Sequence, residues 1–154
     1  MLNNLSFKNG EFIISTDKSK LDHALIHKYL DESSYWAQGR SLEKVIKSIE
    51  NSLCFGVYNQ GGQMAGFARV VTDYTTFGWL CDVFIIDSFK GRGLGKWLVK
   101  TIVGLPELIG MKRIMLATRD AHELYRKYGG FQNMDSPERW MERLSTNKTM
   151  DNRS

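Results

Sequence analysis

The chain has 154 residues, 42% of them hydrophobic and 25% charged, with a formal net charge of +4. That length fits one domain able to bury roughly 68–70% of its unfolded surface without a metal or disulfide. The composition is too apolar for a disordered chain, and no apolar run approaches the ~20 residues of a membrane-spanning helix.

In chain order, the apolar run 12–15 predicts a short strand, and Leu21, Leu25, Ile26, Tyr29 and Leu30 then recur at helical spacing. Ser41 stands where it can cap a second helix over 42–51, whose apolar stripe is Leu42, Val45, Ile46 and Ile49. The β-rich runs 53–58 and 64–71, joined by a glycine-containing turn at 59–63, predict a hairpin. A polar aromatic loop at 73–76 leads into a strand over 77–86, on which Trp79, Cys81 and Val83 alternate to one face, with packing the default role of Trp79. A glycine-rich stretch at 90–96 opens a helix carrying Trp97, Leu98, Thr101 and Ile102. A strand over 113–118 follows, then a helix over 121–128 stopped by Gly129 and Gly130, with final short strands at Phe131 and at Trp140 and Met141. This order predicts one α/β or α+β domain over 1–144, and a polar, disordered tail over 145–154. The strand near Ile85, the helix after Gly95 and the strand near Leu116 form a crossover unit, so those two strands should run parallel. Cys54 and Cys81 have no paired spacing and the start lacks a signal-peptide pattern, so a reduced, cytoplasmic protein is expected.

Charge is unevenly spread, with nine basic residues against three acidic ones between Lys90 and Lys127. A local positive field suits a polyanionic ligand held at one place better than the broad basic face of a nucleic-acid binder. Within that segment Gly91, Gly93 and Gly95 let backbone N–H groups turn toward one point, and Lys90, Arg92 and Lys96 add full charges. A dinucleotide fingerprint fails here, because Lys96 or Leu98 stands where its third glycine is needed. A Walker loop also fails: Gly91 and Gly95 are one residue too close, and Trp97 follows Lys96. The bland alternative is a mobile surface turn with solvated lysines, against which the charge and the strand–loop–helix context agree.

The stretch 83–96, followed by the Leu-Tyr-Arg-Lys-Tyr-Gly-Gly-Phe run at 124–131, resembles the GNAT superfamily of N-acetyltransferases. The second run looks like that family's LYxKxGF element with one glycine inserted, and with the order of elements the resemblance spans Phe12 to Leu144. It implies the acyl-CoA N-acyltransferase fold, a mixed central sheet with splayed parallel strands flanked by helices. It also implies acetyl-CoA as co-substrate and no metal. By resemblance, the backbone around Val83, Phe84 and Ile85 meets the pantetheine arm, and the loop of Lys90, Gly91, Arg92, Gly93, Leu94, Gly95 and Lys96 meets the pyrophosphate. Lys90 replaces the usual Arg or Gln and brings a point charge without a bidentate fork. Thr118 stands where relatives often carry an Asn.

Acetyl transfer to an amine needs a neutral nucleophile and a proton for the departing thiolate. Asp82 lies at a position where the family often carries an acid, as a base acting directly or through a water relay, its alternative being an Asp that organises a loop or pairs with an arginine. Tyr125 matches the tyrosine that usually lies near the thioester sulfur as general acid, its alternative being a half-buried packing residue. In relatives, loops placed like those bearing Tyr35, Trp36 and Arg40, and Asp73 and Tyr74, line the acceptor side; such aromatics with a few charges suit a small amine or a carboxylate-bearing one, the alternative for Tyr35 and Trp36 being that they simply cover core. His23 and His27 have i,i+4 spacing without a third ligand, and His122 lies one turn from Tyr125. The expected function is direct acetyl transfer in a ternary complex to a primary amine of a small molecule, by a monomer or homodimer with neither nucleic acid nor membrane as partner. Neither cysteine recommends itself as an acyl carrier. Alternatives are a non-catalytic acyl-CoA sensor on the same fold and, ranked last, a nucleic-acid binder.

Overall fold

The computed structural model describes residues 4–145. One six-stranded sheet runs in chain order: β1 (Ser6–Asn9), β2 (Phe12–Ser15), β3 (Leu53–Tyr58), β4 (Met64–Thr72), β5 (Phe77–Ile85) and β6 (Arg113–Met115). The first four neighbouring pairs are antiparallel, and β5 and β6 are parallel, as the crossover requires. The helices are α1 (His23–Glu32), α2 (Leu42–Glu50), α3 (Leu94–Val103), α4 (Pro106–Ile109) and α5 (His122–Gly129).

Local chemistry accounts for most boundaries. Asp22 caps α1 by accepting from the Leu25 N–H, and Ser41 caps α2 through the Lys44 N–H. Gly130, at φ +70°, closes α5, while Gly129 has no room for a side chain: a Cβ there would meet Phe131 and Val99 at 2.8–2.9 Å. The glycine pair thus does two jobs, capping α5 and letting it press against α3. The polar strand β1 and the short helix α4 carried no periodic signal.

Two expectations are corrected. Phe131, Trp140 and Met141 lie outside strands; Phe131 instead packs edge-on against Tyr125, and Met141 is exposed. Its would-be neighbour β6 stops at Met115, leaving little edge to extend the sheet. The predicted face shared by Trp79, Cys81 and Val83 is broken at Asp82, where two β5 residues oppose Ala68 and Asp82 adopts φ +52°. That bulge reverses the alternation. Leu80, Val83 and Ile85 pack on the α3 side, whereas Phe84 joins the α1–α2 side, stacked on Tyr29 at 4.0 Å. Beyond Ser145, the predicted tail lies outside the described residues.

The sheet therefore separates two apolar cores. Phe55, Val57, Leu80, Leu98 and Ile102 fill one beneath α3, and Ile26, Leu30, Val45, Ile49 and Phe67 fill the other beneath α1 and α2. With helices on both faces, every residue of β3 is buried. Among the described residues, no helix is long and apolar enough to cross a membrane.

Candidate active site

The sheet opens where β5 and β6 part. Their pairing covers only Phe77–Arg113, Gly78–Ile114 and Trp79–Met115. Beyond Trp79, β5 keeps β4 on one side and, among the described residues, has no strand on the other, so backbone polar groups along Leu80–Ile85 face the gap. At the end of this edge a 3₁₀ turn (Asp87–Phe89) delivers the glycine loop. Gly91 and Gly93 have φ of +83° and +76°, and a Cβ at either would meet nothing within 4 Å. Gly93 is the N-cap of α3, so the first N–H groups of a ten-residue helix, which have no partners within the helix, adjoin this open turn. Such a cradle fits a pyrophosphate, and the free β5 edge fits an amide-bearing arm. Lys90 is partly neutralised by Asp87 at 2.8 Å, Arg92 lies over the Phe89 ring, and Lys96 lies over Tyr128.

A cavity of about 460 Å³ occupies the splay, walled by residues 79–83 of β5, 116–121 after β6, Tyr125 of α5 and the α1–α2 loop. Its buried anchor is Asp82. Oδ1 accepts from Trp36 Nε1 at 2.8 Å; Oδ2 accepts from Arg40 Nη1 at 2.8 Å and from Arg69 Nε at 2.9 Å. Arg69 also donates from Nη1 to Ser52 Oγ at 3.0 Å. The bulge in β5 is what turns this carboxylate toward both arginines and the indole.

Tyr125 is buried and lines the same cavity, and its hydroxyl makes no hydrogen bond among the described residues. Burial, with smaller contributions from Tyr35 and Asp120, pushes its phenol up to about 12. Its backbone is fixed by the chain reversal after α5, where the Phe131 N–H donates to the Tyr125 carbonyl at 3.1 Å. Cys81 also faces the cavity, and burial pushes its thiol up to about 12, which suppresses the thiolate.

Of the residues singled out from sequence, Tyr35, Trp36, Arg40, Asp82, Val83, Thr118 and Tyr125 meet around this cavity. Thr118 caps the turn into α5 by accepting from the Ala121 N–H at 3.1 Å. Asp73 and Tyr74 lie apart, in the β4–β5 turn at the opposite end of β5. There Asp73 accepts from the Thr75 and Thr76 N–H groups and the Thr76 hydroxyl, which holds its carboxyl below the usual range. Arg69, Trp79 and Arg119 join the cavity lining without having been singled out as acceptor-side residues. Arg69 sits inside a strand pattern whose only clue was a charge amid apolar residues. Arg119 reaches the site by lying 3.9 Å over the Tyr35 ring, while its N–H donates to the Tyr35 hydroxyl at 2.7 Å. Among the described residues, no cluster of three or more His, Cys, Asp or Glu side chains could hold a metal ion. His23 and His27 remain half-buried α1 residues, and His122 is exposed.

The sequence profile of the acetyltransferase (GNAT) family matches residues 23–131. A Xanthomonas campestris pv. campestris protein assigned to the GNAT acetyltransferases is 41% identical, with a TM-score of 0.84 over 90% of this chain and 96% of its own. Protein FG08082 of Gibberella zeae, assigned as an acetyltransferase, is 27% identical over 150 residues, or 83% of each chain. Spermidine N-acetyltransferase from Vibrio cholerae, crystallised with CoA and spermine, shares the fold at 16% identity, with a TM-score of 0.62 over 79% of this chain and 81% of its own.

Proposed function

Because the chain belongs to the acetyltransferase (GNAT) family, whose members use acetyl-CoA, we propose that it acetylates a primary amine of a small molecule by direct transfer while both substrates are bound. The observation that carries this reading is the convergence on one cavity of the unpaired β5 edge, the Tyr125 hydroxyl and a polar wall built on Asp82. Bound acetyl-CoA would supply the thioester. The glycine-loop amides, with Arg92 and Lys96, would hold its pyrophosphate, and the backbone of Val83–Ile85 would hold its pantetheine arm.

Tyr125 keeps its proton throughout the neutral range. Handing that proton from a phenol near 12 to a thiolate near 8.5 would be uphill by about 5 kcal/mol. A hydrogen bond that stabilises developing charge on sulfur is therefore the better description of its role. Asp82 already accepts from three donors, so it suits the task of positioning Trp36, Arg40 and Arg69 better than that of taking a proton. An alkylamine must still lose a proton to solvent water before attack, at a cost of about 4–5 kcal/mol at neutral pH. A second proton, shed by the nitrogen as the amide forms, neutralises the departing thiolate.

The reading is tested by following thiol release from acetyl-CoA across an amine library. Release that depends on an added amine supports it. Tight CoA binding with no release for any amine would favour a non-catalytic acyl-CoA sensor.

A further inference from the structure

We propose that the acceptor amine also carries an anionic group, a carboxylate or a phosphate, and that Arg69 and Arg119 bind it. This rests on the acetyltransferase reading and extends it to the chemistry of the second substrate.

The cavity lining holds three arginines, Arg40, Arg69 and Arg119, against two aspartates. Asp82 is committed to its three donors, and Asp120 is a solvent-facing side chain at the rim, 3.9 Å from Arg119. Arg69 is only 12% exposed, and its Nε and Nη1 are taken by Asp82 and Ser52; Nη2 makes no hydrogen bond among the described residues. A guanidinium fixed in a cavity wall with donors left over is a ready partner for an oxyanion. Arg119 is exposed, yet it does not hang free. It stacks on Tyr35, whose ring packs edge-on against Trp36 at 5.1 Å, and Trp36 in turn donates to Asp82. One chain of contacts therefore ties both arginines to a single wall.

Electrostatics points the same way. A wall with more guanidinium than carboxylate repels a second ammonium, so a diamine or polyamine fits poorly. It welcomes an anion at one end of the acceptor.

The test uses the full chain saturated with CoA, titrated calorimetrically with matched amines on one aliphatic and one aromatic skeleton, since Trp36 and Trp79 line the cavity. Each skeleton is presented as an amino carboxylate, an amino phosphate, an amino alcohol and a diamine, and the same amines are assayed for thiol release from acetyl-CoA. One anionic form should bind and react about tenfold or more better than the alcohol, with the diamine weakest. The carboxylate and phosphate arms identify which anion is read. Arg119→Gln, which leaves the Asp82 network intact, should erase most of that preference without changing acetyl-CoA affinity. A protein that binds acetyl-CoA but favours neither anionic form over the alcohol and diamine overturns the proposal alone. A protein that binds no acetyl-CoA overturns the acetyltransferase reading beneath it.

Discussion

Tyr125, Asp82 and Cys81 share one cavity, yet their surroundings assign them different work. Tyr125 presents a protonated hydroxyl with no hydrogen-bond partner among the described residues, so Tyr125→Phe should lower kcat by about 10²-fold while acetyl-CoA affinity holds. Steady-state kinetics beside calorimetry separates the two, and an unchanged kcat would remove the tyrosine from the chemistry. Cys81 is held as a neutral thiol, so Cys81→Ala should leave turnover intact and no acyl-enzyme should be seen by mass spectrometry. Loss of turnover in that variant, or an acetylated Cys81, would argue against direct transfer. Asp82 compensates two largely buried guanidiniums, and its loss leaves both without their shared carboxylate. Asp82→Ala should therefore destabilise the fold by about 3–5 kcal/mol, read as a fall in Tm of roughly 10 °C; a Tm equal to that of the unaltered chain would show that the network carries little energy. The chemistry-bearing residue types were legible in the sequence at Tyr125 and Asp82. The particular partners of Asp82 were not, because Trp36, Arg40 and Arg69 lie 46, 42 and 13 residues away from it and only the folded chain brings them together.

At the level of elements, the glycine loop and the crossover were readable because local residue types dictate them. Positive φ selects glycine at positions 91 and 93, and the change from an apolar strand to a helical period marks the start of α3. The β5 bulge was not readable. Asp82 occupies the left-handed region, and what holds it there is a set of long-range bonds from the α1–α2 loop and β4. The missing final strands have a related cause: alternation and aromatic content cannot report whether a neighbouring strand is long enough to pair with. The loop also yields a sharp test. Gly93→Val forces a β-branched residue into φ +76°, at a cost of about 1–2 kcal/mol, and places a side chain in the open space before the α3 N–H groups. Acetyl-CoA binding should be lost while the fold persists; retained affinity would move the phosphate site elsewhere.

Across the whole molecule, two apolar cores flank one sheet, and the site occupies the seam where that sheet comes apart. Several titratable groups are largely buried, two beside those cores and two on the cavity wall. Cys54 and Cys81 are pushed from 9.0 up to about 12, and Tyr58 and Tyr125 from 10.0 up to about 12, all chiefly by burial. Above pH 9 the unfolded chain releases these protons first, so the native state binds more of them and stability falls as pH rises toward 12. Tm recorded against pH should decline through that window, and a flat profile would show that these groups are more hydrated than their burial implies. The uneven basic charge seen in the sequence falls on the segment that carries the glycine loop, α3, β6 and α5. The central claim is that this loop and the opened β5 edge together grip acetyl-CoA. Calorimetric titration of the unaltered chain and of Gly93→Val with acetyl-CoA tests it most directly: saturable one-to-one heat in the first and none in the second is predicted. No heat in the first, or equal heats in both, contradicts it.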